Sequence, residues 1–211
     1  MTEPPVIESP FVSESNLIDE LRAVGLLNGA VEAAVSVAKR AHENQTRDDG
    51  SPYLEEHVFP VAVETAKYIA NSSALGSPEH AVVVALLHDV LEDAPSGTAV
   101  DLEASFGREV STIVELLTKE EPAGPNDQSD GNAREERYMY RVAAGPFLAK
   151  LVKVFDRLNN LACIHKSSVQ KRVGYVEETR RYHLPLASGI DPALAEAMEA
   201  RLQDLAEFDS G

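Results

Sequence analysis

From His80 to Leu91 the chain reads HAVVVALLHDVL, and nine of these twelve residues are apolar. A run that is apolar on every face has no place at a surface, so it predicts a helix enclosed by other helices. Yet His88 and Asp89 stand side by side within it, with Glu92 and Asp93 one turn later. On a helix, residues three or four apart share a face, so these four side chains make one polar edge on an apolar rod. Buried charges are costly unless they are paired or bound to a metal. The fold must therefore bring compensating groups to this edge.

The rest of the chain supports helices throughout. Apolar residues recur at three- and four-residue spacings with no convincing period of two, which gives an all-α class. A short helix is expected over 15–24, ending at Gly25, and a longer one after the N-cap Asn28. Gly50 and Pro52 mark a turn, and a helix follows from about His57 to Ser73. Ser77 and Pro78 open the helix of the apolar run, which continues unbroken through His88 until Pro95 and Gly97 stop it. Two short helices separated at Gly107 come next. Residues 121–132 are rich in loop formers and are the segment expected to be most mobile. Helices over about 134–144, from Pro146 to Ile164, over 168–187 and over 191–207 complete a bundle of nine to ten helices. Residues 1–14 are expected to be a flexible start and 15–211 a single domain, with the segment that carries the candidate metal site at about 35–165 and C-terminal helices over 168–207.

The chain has 211 residues, of which 44% are hydrophobic and 26% charged, enough to bury a substantial core. Its 35 acidic and 19 basic residues leave a formal charge of −16. A field of that sign disfavours a nucleic-acid polymer or an anionic membrane as partner, though a small phosphorylated ligand remains compatible where a metal and local cations reverse it. The single Cys163 cannot close an internal disulfide, and neither a signal peptide nor a membrane-spanning run is recognisable, so a cytoplasmic location is expected.

An imidazole and a carboxylate on one helix edge suit a divalent transition ion, and oxygen-rich sites favour manganese or a similar metal. Further ligands must come from elsewhere. In VKVFDRLNNL, Asp156 sits in an apolar helix with Asn160 one turn later; pairing with Arg157 is the bland alternative for that aspartate. His57 is the best remaining nitrogen donor. His57, His88, Asp89 and Asp156 would form a two-histidine, two-carboxylate set with positions left for water and substrate.

These segments, in their order, resemble the HD phosphohydrolase superfamily, a group of all-helical metal-dependent enzymes. More narrowly they resemble the hydrolase domain of RelA/SpoT-type alarmone enzymes and the small alarmone hydrolases. The similarity rests on AHENQTRDDGSPYLEEH, ALLHDVLEDA, FGREVSTIVELLTK and KVFDRLNNL, across about residues 35–165. The resemblance implies manganese held by His57, His88, Asp89 and Asp156, with Glu92 and Asp93 as the acid/base pair. It implies that Arg47 contacts the nucleotide and that Asn160 places the ribose or its phosphate. The implied reaction is release of pyrophosphate from the 3′-diphosphate of guanosine tetra- or pentaphosphate. With no room for a synthetase domain, only degradation is expected.

Two positions depart from the family pattern. Asp48 stands where a lysine follows the arginine, and YLEEH is one residue longer than the family's Tyr-x-x-His spacing, with Pro60 three residues beyond the histidine. An HD phosphohydrolase acting on an adenosine alarmone or another phosphate ester is therefore the alternative reading, and a catalytically silent nucleotide-binding regulator is a third. His42, His80, His165 and His183 lack partners at ligand spacing and are expected to be structural, as is Cys163. The last helix is amphipathic and most simply packs on the core, with a homo-oligomer contact as the alternative.

Overall fold

The computed structural model describes residues 11–72, 76–93, 101–119 and 131–210; the side chains of Asp93, Asn132, Asp209 and Ser210 lie outside the description. The expected loop at 121–132 falls outside these residues except for its last two positions, where helix has already begun. The stop at Pro95 and Gly97 falls outside them as well, as do the first ten residues of the expected flexible start. From Val12 the chain is held, because its backbone N–H donates to the Glu55 carbonyl at 2.7 Å.

Among the described residues the regular structure is helical, with one isolated bridge between Thr46 and Pro52. Helix α1 spans Glu14–Ala23, capped by Ser13 and anchored through Leu17 and Leu21. Helix α2 spans Gly29–Ala41, and the Asn28 side chain accepts from the N–H groups of Ala30 and Val31 at its start. After the turn at Gly50 comes a π-helical turn, Leu54–Val58, continuing into α3, Phe59–Asn71. Helix α4 spans Pro78–Leu87 and α5 Val90–Asp93. Helix α6, Leu102–Leu117, bends at Gly107, whose φ of 84° and ψ of 163° suit glycine alone. Helix α7 is Gly131–Ala144 and α8 is Phe147–Cys163. Helix α9, Val169–Glu178, leads through a second π turn, Thr179–His183, into α10, Leu184–Ile190. Helix α11, Pro192–Ser210, ends the chain.

Helices α4 and α8 form the centre. Every residue from Ala81 to Leu87 is buried, as the all-round apolar sequence requires, and α4 packs on α2, α3, α6 and α8. Helix α8 also touches α3, α6, α7, α10 and α11, with Leu151, Val152 and Phe155 completely enclosed. Leu194, Met198, Leu202 and Leu205 bury one stripe of α11 against this body, so its apolar face packs on the core.

Two local differences from the sequence reading matter for the site. The helix expected to run unbroken through His88 is interrupted, with His88 and Asp89 forming a turn between α4 and α5. The His88 ring supplies a reason: its Nδ1 donates at 2.8 Å to the carbonyl of Ala85 within the last turn of α4. The helix expected from His57 starts three residues earlier, as the π turn at Leu54. A π turn holds one residue more than an α turn, and so absorbs the extra residue between Tyr53 and His57.

Candidate metal and nucleotide site

Three elements deliver the polar edge its partners. The π turn presents His57, the α4–α5 junction presents His88 and Asp89, and α8 presents Asp156. Ligand atoms of His57, His88 and Asp156 lie within 4.8 Å of one another, and all three side chains are buried. The two Nε2 atoms face each other at 3.2 Å. Asp89 Oδ2 lies 3.2 Å from His57 Nε2 and 3.1 Å from His88 Nε2, and Asp156 Oδ1 lies 3.5 Å from His57 Nε2. The structure thus brings together all four residues of the expected set.

The outward ring atoms are fixed. His88 Nδ1 is committed to Ala85, and His57 Nδ1 donates to Asn159 Oδ1 at 2.6 Å. The Asn159 amide is held in turn because its Nδ2 donates to the Glu56 carbonyl at 3.2 Å. With both Nδ1 atoms occupied as donors, both Nε2 atoms are left to face the carboxylates. Two nitrogen acceptors and two carboxylates converging in a buried space need a cation between them. Neighbouring donors about 2.1 Å from an octahedral ion sit about 3 Å apart, which matches the observed spacing. The donor set fits a divalent metal.

The electrostatics agree. Burial opposes charge on His88, but Asp89 and Asp156 outweigh it and raise the imidazole from 6.5 to about 9. Burial also opposes charge on Asp89 and Asp156; imidazole contacts nonetheless hold the first below the carboxylate range, and Lys153 chiefly holds the second there. Without a metal, a proton on His88 supplies part of the positive charge the cluster calls for.

Asp156 does not pair with Arg157. Its Oδ2 accepts from Lys153 Nζ at 2.8 Å and its Oδ1 from Asn160 Nδ2 at 2.6 Å, while Arg157 turns to Glu178 at 3.3 Å. Arg47 then donates to Asn160 Oδ1 at 2.8 Å. A hydrogen-bond relay therefore runs from Arg47 through Asn160 to the cluster. Arg47, Asp48, Glu92, Asn160, Lys166 and Lys171 line one cavity of about 360 Å³. At its rim Asp48 is paired with Lys171, so the anion standing where the family pattern has a lysine is answered by a cation from α9. Lys166 bonds Asp49 at 2.7 Å and Glu56 at 3.2 Å, and the Lys166 bond keeps the Asp49 carboxyl well below its ordinary range.

Glu92 reaches the surface of this cavity, with one carboxylate oxygen accepting from the Lys119 backbone N–H. Protein packed around the carboxyl raises it above the ordinary glutamate value, and the charge of Asp89 adds to the rise. The backbone of Asp93 lies in α5, but its side chain lies outside the described structure.

Sequence reasoning missed Asn159, Lys153 and Tyr53. The Tyr53 hydroxyl donates to Asp89 Oδ2 at 2.6 Å, and its ring lies 5.1 Å from that of His57. The available signal was the i, i+3, i+7 spacing of Lys153, Asp156 and Asn160 on one face of α8, together with the doubled asparagine. None of the remaining histidines joins the cluster itself, although the His42 ring lies 5.1 Å from that of Tyr53. His42 bonds Gln45, His80 bonds Glu109, His165 packs on Phe208, and His183 is buried beside the Glu178 carbonyl.

A family model described as an HD domain matches residues 34–190. The bifunctional (p)ppGpp synthase/hydrolase SpoT of Escherichia coli K12 is 33% identical over 154 residues, 73% of this chain and 21% of that protein. The guanosine-3′,5′-bis(diphosphate) 3′-pyrophosphohydrolase of Haemophilus influenzae is 32% identical over 169 residues, 80% of this chain and 23% of that protein. The chain thus spans only about a fifth of the length of these relatives. A solved structure of a metazoan orthologue of SpoT, described as hydrolysing ppGpp, superposes with a TM-score of 0.67 at 21% identity, covering 84% of this chain and 96% of that one. It shares the fold.

Proposed function

The chain belongs to the HD-domain family, and on that premise we propose that it is a manganese-dependent phosphohydrolase that removes the 3′-diphosphate of guanosine tetra- or pentaphosphate. The observation that carries this reading is the relay from Arg47 through Asn160 to Asp156, which ties a cavity of nucleotide size to the imidazole–carboxylate cluster. The names of the relatives support the substrate class.

His57, His88, Asp89 and Asp156 would hold the metal, which when bound supplies Lewis acidity and an activated water. The protein's own groups do the rest. Asn159 and the Ala85 carbonyl fix both imidazoles in the tautomer that presents Nε2. Lys153 and Asn160 occupy the Asp156 oxygens and orient the carboxylate, while Tyr53 does the same for Asp89. Arg47 faces the nucleotide from the far end of the relay, with Lys166 and Lys171 as further cations at the rim. Glu92, raised above its ordinary range and close to Asp89, is suited to carry a proton between water and the departing 3′-oxygen, and Asp93 is its expected partner in that role.

Asp48 is the one observation favouring another nucleotide, since it adds an anion to the mouth of the cavity. Its pairing with Lys171 removes much of that objection. The deciding experiment is pyrophosphate release by the manganese-loaded protein, offered guanosine tetraphosphate and its adenosine counterpart in parallel, with Glu92→Gln as control. Release from the guanosine compound that disappears in the control upholds the proposal. Release only from the adenosine compound replaces the substrate, and release from neither, with metal bound, discards both.

A further inference from the structure

A second cavity, of about 370 Å³, opens where α7, the start of α8 and α10 meet. Helical spacing builds its wall. Tyr140 and Ala143 stand three apart on α7, Phe147 and Lys150 three apart on α8, and Leu186 and Ile190 four apart on α10. Tyr182 joins them from the π turn that precedes α10. No residue lines both this cavity and the nucleotide cavity. Lys150 here and Asn160 there are ten residues apart on α8, so about 15 Å of helix separates the two.

The wall concentrates two kinds of group. Twelve residues of the chain are Tyr or Phe and none is Trp, and three of the twelve line this one cavity. Such a wall favours a flat ring, which gains from offset or edge-on contact with aromatic neighbours beyond the area it buries. The second kind is cationic. Lys150 and Arg181 line the cavity with no carboxylate among its described residues, in a chain whose formal charge is −16. Arg181 is already engaged, being paired with Glu136 at 3.0 Å and lying 5.0 Å from the Tyr182 ring centroid. Lys150 differs. It is half-buried, and among the described residues no ion pair or hydrogen bond engages its ammonium. A cation held partly out of water without a counter-charge carries a cost that one bound anion would offset.

We propose that this cavity is a binding site for a small aromatic carboxylate, its ring among Tyr140, Phe147 and Tyr182 and its charge answered by Lys150. One unengaged cation calls for one negative charge, which separates this ligand from the polyphosphate proposed for the nucleotide cavity. A mostly apolar pocket between helices, with few polar groups, is the usual form of a small-molecule site, and about 370 Å³ suits a compact ligand. The assignment stands apart from the phosphohydrolase reading, since it uses none of the same residues.

The test is calorimetric titration of naphthoate into the full chain, with the uncharged naphthylmethanol in parallel. The acid should bind saturably and about tenfold more tightly than the alcohol, as expected for a charge-assisted hydrogen bond. Lys150→Met keeps an apolar stem without the charge and should bring the acid down to the level of the alcohol. Gly189 on α10 also lines the cavity, and a Cβ placed there meets nothing within 4 Å, so Gly189→Leu has room for its side chain and should abolish binding of both compounds. Thermal melting checks that each variant is folded, and Lys150→Met alone decides the matter should Gly189→Leu misfold. The proposal is overturned if the acid shows no saturable binding at millimolar concentration or if the alcohol binds equally well. It is overturned too if Lys150→Met, or folded Gly189→Leu, binds the acid like the wild type.

Discussion

His88 has two jobs that pull on its two ring nitrogens. Nδ1 closes the end of α4 against Ala85 and Nε2 faces the carboxylates, so His88→Ala should remove both the metal and the helix end. Metal binding measured by calorimetry should vanish in His88→Ala and in Asp89→Ala. Asn159 acts one step back, through His57 alone; Asn159→Ala should lower metal affinity about 10–100-fold, the usual cost of losing an orienting partner. Glu92→Gln should keep the metal and slow turnover about 10²–10⁴-fold, and full activity in that variant would remove Glu92 from the chemistry. The pH dependence follows from His88, which is raised from 6.5 to about 9 by Asp89 and Asp156 against the opposing effect of burial. A raised imidazole stabilises the metal-free fold fully below pH 6.5 and loses that contribution as pH climbs through about 9. The metal must displace this proton, so apparent metal affinity should increase about tenfold per pH unit across that window. A flat affinity profile would show that no proton is released.

At the scale of elements, the π turn Leu54–Val58 explains how a lengthened Tyr53-to-His57 interval still presents the histidine. If the extra residue is stored in that turn, deleting Glu55 should convert it to an ordinary α turn and leave His57 facing Asp89. Thermal melting and metal titration of the deletion variant should then stay close to the wild type. Deleting Ala62 inside α3 instead rotates everything on one side of the cut by about 100°, and should abolish both cooperative melting and metal binding. The α4–α5 break is of another kind. Periodicity shows where a side chain points along a regular helix, but it cannot show that His88 will take a carbonyl of its own helix and interrupt it.

On the scale of the whole molecule, α8 is both the centre of the apolar core and the carrier of Lys153, Asp156, Asn159 and Asn160. Phe155 is completely buried beside Asp156 and packs edge-on against Tyr68 at 5.7 Å. Phe155→Ala should cost about 3–5 kcal/mol in denaturant unfolding and should weaken metal binding in parallel, because the cavity loosens the helix that holds the ligand. A loss of stability with unchanged metal affinity would show that the site is rigid independently of the core. The sequence alone determined the all-helical class and the burial of α4, because those follow from the helical period and from the cost of stranding charge in an apolar run. The four residues that converge on one point were legible only with the family resemblance added, since the pattern by itself left Asp156 free to pair with Arg157. Only the tertiary structure decided that Asp156 pairs with Lys153 rather than Arg157, that Asn159 orients His57, and that Lys171 answers Asp48 from more than a hundred residues away. Those partners are chosen by how α8, α9 and the π turn pack, and no local pattern encodes which side chains packing will bring within 3 Å of one another.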